Sequence, residues 1–335
     1  MWKQLTPEES AGWDRLGTQA GDDNPFQSDA WARYKRQAGW EPQRWTASAG
    51  DGTLICSLQL LKKKLPFGRA VIWAPGGPVV GYPGADRENL EPLLREGLRQ
   101  IFQSNRAGYA RFYSLQPFAP ETRRALSGSY AVPKHRLGSG ATVKINLTLP
   151  EEDLLRQMDK KHRYEVRRLR ESTLRWEWGT SASLVTALCQ LHSKMAAVKK
   201  VSAANEEDLS RLVSEFKEDS RILLGTSGNE PVTACLVLLK GKGAFYWRAA
   251  TARKGRELSA SYAMVWELLK RLKAAGIERF DFGGILPGVP LAEGVNHFKQ
   301  GFGGTAVEYL GEWEWAGAPW IRWGVNAWVA GRGSS

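Results

Sequence analysis

The sequence has few of the residues that build metal sites and disulfide frameworks. Its 335 residues include only three cysteines and four histidines, and the cysteines are scattered through apolar stretches. An odd number of widely spaced cysteines argues against a disulfide-stapled scaffold and indicates buried, reduced thiols. The histidines have no cysteine or carboxylate partners at metal-ligand spacing, so we expect no structural or catalytic metal.

Long apolar runs are also missing. The segment Met1–Leu5 does not lead into the apolar core of a signal peptide, and no run approaches the roughly 18 apolar residues of a membrane span. We therefore expect a soluble, cytoplasmic protein. An acidic balance is missing too, because the formal net charge is +12. This charge favours a polyanion, a nucleotide sugar or an anionic membrane surface as partner.

The chain is long enough for two domains, and it carries an internal echo. The segment Ala107–Tyr113 (AGYARFY) recurs about half a chain later as Ala275–Asp281 (AGIERFD). Each copy follows a stretch with leucines at helical spacing, at 90–103 and at 259–274. The duplicated helix–glycine–strand unit predicts two lobes of an α+β fold. We place lobe 1 at residues 1–140 and lobe 2 at residues 141–315.

The C-terminal tail, residues 316–335, is apolar on most faces and rich in tryptophan. One interpretation is an interfacial helix resting on a membrane, because tryptophan favours the headgroup level. The other, which we favour, is packing of the tail against lobe 1.

A basic run holds six lysines and arginines within the eleven residues Lys160–Arg170. At helical spacing, Arg163, Arg167 and Arg170 share one face, which suits a line of phosphates. Such contacts would give salt-sensitive affinity for tRNA or for a diphosphate-bearing precursor. A solvated helix face explains the run equally well.

The segment His297–Thr305 places one lysine, Lys299, between aromatic residues and glycines. Glycines let a backbone come close to a ligand, and a lysine beside them can supply positive charge where an oxyanion develops. A loop with a surface lysine would show the same pattern. No nucleophile elbow, catalytic triad order or CoA phosphate-binding turn is evident, so we expect direct transfer without a cofactor.

Several segments together resemble the FemABX family of peptidyltransferases, notably its short members without a coiled-coil arm. The resemblance implies two tandem GNAT-like (acyl-CoA N-acyltransferase-like) lobes with mixed sheets and packed helices, and a tail that returns to lobe 1. It rests on Phe26–Ser28 with Trp31, Lys35 and Gly39, on Pro75–Pro78, on Gly276–Gly284, and on Phe298–Lys299 with the glycines that follow.

The resemblance also implies a function. A monomeric enzyme would move glycine, alanine or serine from aminoacyl-tRNA to the side-chain amine of the stem peptide of UDP-MurNAc-pentapeptide or lipid II. A peripheral contact at the inner face of the membrane is compatible with this role. Three alternatives stay open: a protein N-terminus or a polysaccharide as acceptor, a non-catalytic RNA-binding protein, and an acyl-CoA enzyme with an unusual phosphate loop.

Candidate site residues follow from the resemblance and from the basic run. Lys299 corresponds to the lysine needed for transfer, and Lys35 to the lysine that contacts the precursor diphosphate. The family's arginine in lobe 2 is Lys199 here, and its Asp-Pro pair is Gln116–Pro117, which leaves a first-lobe carboxylate base without support. Further predicted substrate contacts are Trp31, Tyr246 and Arg248, and the predicted tRNA contacts are Phe298, Lys160, Lys161, Arg163 and Arg167.

Overall fold

A computed structural model of the chain describes residues 1–84, 90–168, 174–199 and 203–331, including all side chains there except those of 198, 199 and 328–331. In chain order the strands are β1 (Trp2–Gln4), β2 (Glu41–Ser48), β3 (Leu54–Lys64), β4 (Ala70–Gly76), β5 (Val79–Val80), β6 (Ala107–Pro117), β7 (Ala141–Asn146), β8 (Leu174–Gly179), β9 (Ser220–Ser227), β10 (Glu230–Lys240), β11 (Gly243–Thr251), β12 (Arg279–Asp281) and β13 (Thr305–Ala316).

The helices lie between groups of these strands, and α3, a π-helical turn at Leu93–Gly97 and α4 follow one another without a break. Among the described helices the longest has 18 residues, and none is long and apolar enough to cross a membrane. The helices are α1 (Trp13–Gln19), α2 (Asp29–Gln37), α3 (Leu90–Pro92), α4 (Leu98–Ser104), α5 (Pro120–Ser127), α6 (Glu151–Gln157), α7 (Lys160–Arg168), α8 (Ala182–Lys199), α9 (Glu206–Phe216), α10 (Arg253–Glu257), α11 (Ala260–Ala274), α12 (Glu293–Gln300) and α13 (Pro319–Gly331).

The chain divides into two compact units. The first comprises Met1–Gly140 together with Val307–Ser335, and the second comprises Ala141–Ala306. The sequence-based division assigned residues 307–315 to the second lobe, whereas the structure groups them with the first. The reason is strand pairing, because β13 runs antiparallel to β6 from Tyr309, opposite Pro117, to the end of the strand.

In the first unit the strand order is β1-β2-β3-β4-β6-β13, with β5 beside β3. Strands β4 and β6 are parallel and the other pairs are antiparallel, so the sheet is mixed. Its core forms where Leu94, Leu98 and Phe102 of the helical run pack with Phe112 of β6. All four side chains are almost fully buried, so this contact ties the helical run to the sheet.

In the second unit the order is β7-β12-β11-β10-β9-β8, again mixed, with β11 and β12 parallel. Its core joins Phe280 and Phe282 to Leu268 and Leu272 of α11. The strands of the sequence echo have equivalent surroundings in the two units: β6 and β12 each lie between one parallel and one antiparallel neighbour. Both also follow a helix, as the repeat predicts.

Candidate active site

Lys299 lies in the last turn of α12 and is half-buried. Its Nζ donates a hydrogen bond to the carbonyl oxygen of Gly284, in the loop after β12. The side chain of Asn296, one turn earlier, fastens the helix to this loop: its Oδ1 accepts from Leu286 N at 2.9 Å and its Nδ2 donates to Leu286 O at 2.7 Å. The lysine is therefore held in one place rather than extending from a surface loop.

The loop after β12 is shaped by the carboxylate of Asp281. Its Oδ1 accepts hydrogen bonds from Gly283 N at 2.8 Å and from the hydroxyl of Thr142 at 2.5 Å, and the Thr142 Oγ1 accepts from Gly284 N at 3.3 Å. Gly283 has a left-handed backbone with φ 71°, and a Cβ there would lie 2.4 Å from the Tyr246 carbonyl oxygen. Only glycine fits at this position.

Burial gives Lys299 an unusual acidity. Loss of hydrating water lowers the pKa of the Lys299 ammonium to about 8, although the negative charge of Asp281 opposes the shift. At pH 7 roughly nine-tenths of the side chain would still be charged. Lys299 can thus place an ammonium at the site and exchange its proton near neutral pH.

The buried imidazole of His162 fixes the backbone beside Lys299. Its Nε2 donates to the carbonyl oxygen of Phe298 at 2.9 Å, and its Nδ1 lies 2.8 Å from Asp159 Oδ1. The same Asp159 oxygen accepts from the His162 amide at 2.7 Å. Burial acts to raise the pKa of Asp159, but the hydrogen bonds from the His162 amide and ring outweigh it and lower that pKa.

Phe298 was predicted to contact tRNA, and in the structure its half-buried ring packs against other aromatic rings. Ring centroids lie 5.3 Å from Tyr262 and 5.2 Å from Phe302, both in edge-to-face geometry. The ring joins the core of the second unit, and its carbonyl receives the His162 hydrogen bond. Phe298 therefore anchors α12 and is not an exposed stacking platform.

The predicted basic face lies on α7, and its residues divide into two groups. Lys160, Lys161 and Arg167 are exposed. Arg163 instead donates from Nη1 to the carbonyl oxygens of Met158 at 3.2 Å and Arg156 at 3.3 Å, at the end of α6. This arginine caps the preceding helix. Arg170, the third member of the predicted face, is outside the described residues.

In the first unit, Lys35 lies over an aromatic cluster. Its Nζ is 4.4 Å from the ring centre of Tyr34, 4.6 Å from that of Trp31 and 5.4 Å from that of Trp73. Three rings in this range orient the ammonium by cation–π attraction. Trp31 itself is 2% exposed and its ring supports Lys35 from below the surface, while direct contact of Trp31 with substrate stays a prediction.

Two segments of the family resemblance, Phe26–Ser28 and Pro75–Pro78, are hydrogen-bonded to each other. Gln27 Nε2 donates to Pro75 O at 2.8 Å, and the amide of Asn24, just before the segment, donates to Gly76 O at 2.8 Å. Ser28 then caps α2 by accepting from Trp31 N at 3.1 Å. These bonds set the start of the helix that carries Lys35.

Tyr246 and Arg248 were both predicted to bind the precursor, but a β-bulge at Trp247 separates them. Tyr246 is buried in the core with Phe280 and Phe282, and burial raises its pKa well above the usual value. Tyr246 is 9% exposed, and a substrate contact there stays a prediction. Arg248 is half-buried and near His192 of α8, whose pKa is lowered first by burial and then by the Arg248 charge. The side chain of Lys199 is outside the described residues.

Sequence reasoning missed the residues that support Lys299, namely Asp281, Thr142, Asp159 and His162. Asp281 ends the echoed segment just before Gly283–Gly284, and a carboxylate followed by two glycines at a strand end was the available signal. His162 lies within the basic run 160–170, and no local pattern distinguished it from the neighbouring lysines and arginines. In the described residues, no three histidine, cysteine or acidic side chains are grouped closely enough to hold a metal ion.

Known proteins match the part of the chain that holds this site. Residues 190–322 match the model of the FemAB family, a span that includes Asp281 and Lys299. The aminoacyltransferase FemA of Staphylococcus aureus is 28% identical over 125 residues, which is 36% of this chain. The crystal structure of FemX superposes with a TM-score of 0.80 at 15% identity, over 97% of this chain and 100% of that one. The match to the FemAB family model lies within residues 190–322, and the likeness to FemX shows a shared fold.

The chain has the fold of two tandem GNAT-like lobes, as predicted. A tandem GNAT protein from the clavulanic acid biosynthesis pathway superposes with a TM-score of 0.58 at 12% identity, over 95% of this chain and 99% of that one. The segment matched to FemA spans 28% of the FemA length. The family-model match covers much of the second unit and the start of the tail, and Lys35 lies outside it.

Proposed function

We propose that this protein is an aminoacyltransferase of the FemABX family that acts in cell-wall synthesis. It moves glycine, alanine or serine from aminoacyl-tRNA to the side-chain amine of the stem peptide of UDP-MurNAc-pentapeptide or lipid II. The observation that carries the proposal is the half-buried ammonium of Lys299, held against the Gly284 carbonyl within a segment that matches the FemAB family.

The proposed reaction is a direct aminolysis of an ester. The neutral amine of the stem peptide attacks the ester carbonyl carbon, a C–N bond forms, and negative charge develops on the carbonyl oxygen. The C–O bond to the ribose then breaks, the nitrogen loses a proton, and the ribose oxygen gains one. Lys299 stabilises the developing oxyanion or protonates the leaving oxygen, an effect worth about 2–4 kcal/mol for a comparable donor.

The pKa of Lys299 suits this step. An ammonium with a pKa of about 8 gives up its proton more readily than an ordinary lysine, yet it is mostly charged at neutral pH. Asp281 keeps the proton on the lysine by its charge. No covalent enzyme intermediate is needed, because both bond changes occur on the substrates.

Other cations are proposed to hold the substrates. Lys160, Lys161 and Arg167 on α7 are exposed and can contact tRNA phosphates. In the first unit, Lys35 can contact the diphosphate of the precursor, and its aromatic support limits the conformations that it must lose on binding. Arg248 remains a proposed precursor contact.

The test is mass analysis of UDP-MurNAc-pentapeptide after incubation with charged total tRNA and the protein. We expect a mass increase of one glycine, alanine or serine residue. Lys299→Met should reduce transfer about 100-fold or more while precursor binding is nearly kept. Lys254→Met, which removes an exposed lysine that pairs with Glu230, is the matched control and should transfer at the wild-type rate.

Three outcomes would refute parts of the proposal. Full turnover by Lys299→Met removes the lysine from catalysis. Transfer to a protein N-terminus or a polysaccharide, with none to the pentapeptide or to lipid II, replaces the acceptor. Salt-sensitive RNA retention without ester consumption would show a non-catalytic RNA-binding protein.

A further inference from the structure

In the terminal helix α13, large apolar side chains face solvent and polar side chains contact the rest of the protein. Trp320 and Trp323 are 73% and 77% exposed, and Ala327, one turn later, is exposed as well. Positions 320, 323 and 327 lie on one face of a helix. A helix that serves only to cover a core would present polar residues on this face, so the exposed apolar stripe requires another explanation.

The polar side chains of α13 are directed to the protein. Asn326 Nδ2 lies 3.3 Å from both carboxylate oxygens of Glu314, and Arg322 Nε forms an ion pair with the same group at 3.3 Å. The Glu314 side chain is 1% exposed and also accepts from Tyr109 OH at 2.7 Å. The bonds to this buried carboxylate fix the rotation of the helix about its axis. As a result, the two tryptophans face solvent.

A second exposed apolar group lies at the tip of the β3–β4 hairpin. Phe67 is fully exposed and has a left-handed backbone, with φ 59° and ψ 29°. This conformation disfavours a bulky residue, and full exposure gives the ring no packing in return. Leu65, two residues before, is 43% exposed. Neither folding nor local geometry explains an aromatic residue at this tip.

Cations surround the hairpin tip. A concavity of about 350 Å³ beside it is lined by Lys62, Lys64, Arg69 and Arg106, and the described residues of its wall include no carboxylate. Arg69 and Arg106 are exposed, and so is Lys63 of β3. The Nζ of Lys64 lies 3.5 Å from Oε2 of Glu41. An exposed aromatic tip in a cationic collar is complementary to an anionic, amphipathic surface.

The hairpin and α13 are neighbours in the first unit. Leu65 and Lys63 line the same cavity of about 670 Å³ as Gly324 and Val325 of the helix. From these observations we infer that the hairpin tip and the outer face of α13 form one docking surface for an anionic lipid bilayer. Phe67, Trp320 and Trp323 enter the headgroup region, and the cations of the hairpin contact lipid phosphates.

Charge and shape favour a bilayer over RNA as the occupant. The outer stripe of α13 at positions 320, 323 and 327 carries no cation, whereas RNA binding draws its affinity from phosphate contacts. Tryptophan at an interface gains from partial burial of the indole with its N–H still hydrated. The inference is independent of the proposed reaction, because lipid binding is measured with neither substrate present.

The experiment is co-sedimentation of the full chain with vesicles of equal parts phosphatidylcholine and phosphatidylglycerol, and with vesicles of phosphatidylcholine alone. We expect binding to the mixed vesicles that weakens in high salt, and at least tenfold weaker binding to the neutral ones. The variant F67N/W320Q/W323Q should lose at least tenfold in partition. Asparagine tolerates the left-handed backbone at position 67, and glutamine suits a helix, so the fold is retained.

Matched variants distinguish binding by this surface from general effects of net charge or of exposed apolar residues. R69Q/R106N should lose affinity for the mixed vesicles and most of its salt dependence. R175Q/R253Q removes the same net charge from the second unit, and Leu291→Ser removes a 99% exposed apolar residue there; both should bind as the wild type does. The inference is overturned if the wild type binds neither vesicle, if F67N/W320Q/W323Q binds normally, or if the variants lose tRNA retention while lipid binding is unchanged.

Discussion

The Nε2 of His162 donates a hydrogen bond to the carbonyl oxygen of Phe298 at 2.9 Å, so a fully buried imidazole fixes the peptide that leads into Lys299. The carbonyl can only accept, and therefore Nε2 carries the hydrogen in this contact. The bond links the start of α7 to the last turn of α12. His162 acts on the proposed chemistry through position, since its ring bonds Phe298 and Asp159 while Lys299 Nζ bonds the Gly284 carbonyl.

Replacing His162 with phenylalanine keeps an aromatic ring but removes both ring hydrogen bonds. We expect a loss of stability of about 1–3 kcal/mol, because the Phe298 carbonyl and the Asp159 carboxylate lose a partner. Turnover should fall much more than the affinity for either substrate. Steady-state transfer kinetics and urea unfolding measure the two effects.

The variant His162→Gln tests the positioning role directly. Its amide can still donate to the Phe298 carbonyl, so it should recover part of the lost turnover. Glu293→Gln, at an exposed residue in the first turn of α12, is the matched control and should change neither quantity. If the His162 variants lose stability while turnover is unchanged, His162 contributes to packing and does not position Lys299.

Transfer should lose activity as the pH rises through about 8, where Lys299 loses its proton. Asp281 stabilises the ammonium, so removing its charge in Asp281→Asn lowers the pKa of Lys299 further. The alkaline limb of the kcat/KM profile should then move to lower pH. In Lys299→Arg the guanidinium does not titrate in this range, and any residual activity should lack the limb.

The profile needs one comparison, because the acceptor amine titrates as well. Glu278→Gln removes an exposed carboxylate from the same region of the chain and should leave the limb in place. An alkaline limb that is identical in the wild type and in Lys299→Arg would belong to a substrate and would contradict the assignment.

Binding of tRNA should depend on salt through the exposed cations of α7. Removing one cation that binds a phosphate should reduce the slope of log Kd against log salt by about 0.7 to 0.9. The variant K160Q/K161Q/R167Q should therefore bind charged tRNA more weakly and with a visibly flatter slope. Filter binding over a salt series measures both.

Arg163 offers a control on the same helix. Its guanidinium bonds two carbonyl oxygens at the end of α6, so Arg163→Gln should lower stability but leave the slope unchanged. Equal slopes for the wild type and the triple variant would show that this face does not contact phosphates.

The sequence echo predicted the main framework well, and the site only in part. A repeated helix and strand depend on apolar periodicity, which local sequence encodes, so α11 and β12 formed where the pattern placed them. The Trp247 bulge interrupts that periodicity between Tyr246 and Arg248, the two precursor contacts that the family resemblance implied. A bulge is set by the pairing of strands, so local sequence did not predict it.

The surroundings of Lys299 could not be predicted for a different reason. Its burial and its pKa depend on Gly284 and Asp281, and the alignment of α12 depends on His162, more than 130 residues earlier in the chain. Each of these is a tertiary contact with no local periodicity. A lysine among glycines predicted charge at the site, but not its acidity.

Gly294 lies within α12 and Gly301 directly follows it, and the two positions differ in the space available for a side chain. A Cβ at Gly301 would lie 2.0 Å from His162 Cε1, whereas a Cβ at Gly294 meets nothing within 4 Å. Gly301→Ala must displace the imidazole and with it the Phe298 hydrogen bond, so we expect about 1–3 kcal/mol of destabilisation and a large loss of transfer. Gly294→Ala should instead raise stability by up to about 1 kcal/mol, since alanine favours the helix. Urea unfolding of both variants, with transfer assays alongside, measures the contrast; similar stabilities and rates would mean that His162 is free to move and does not fix α12.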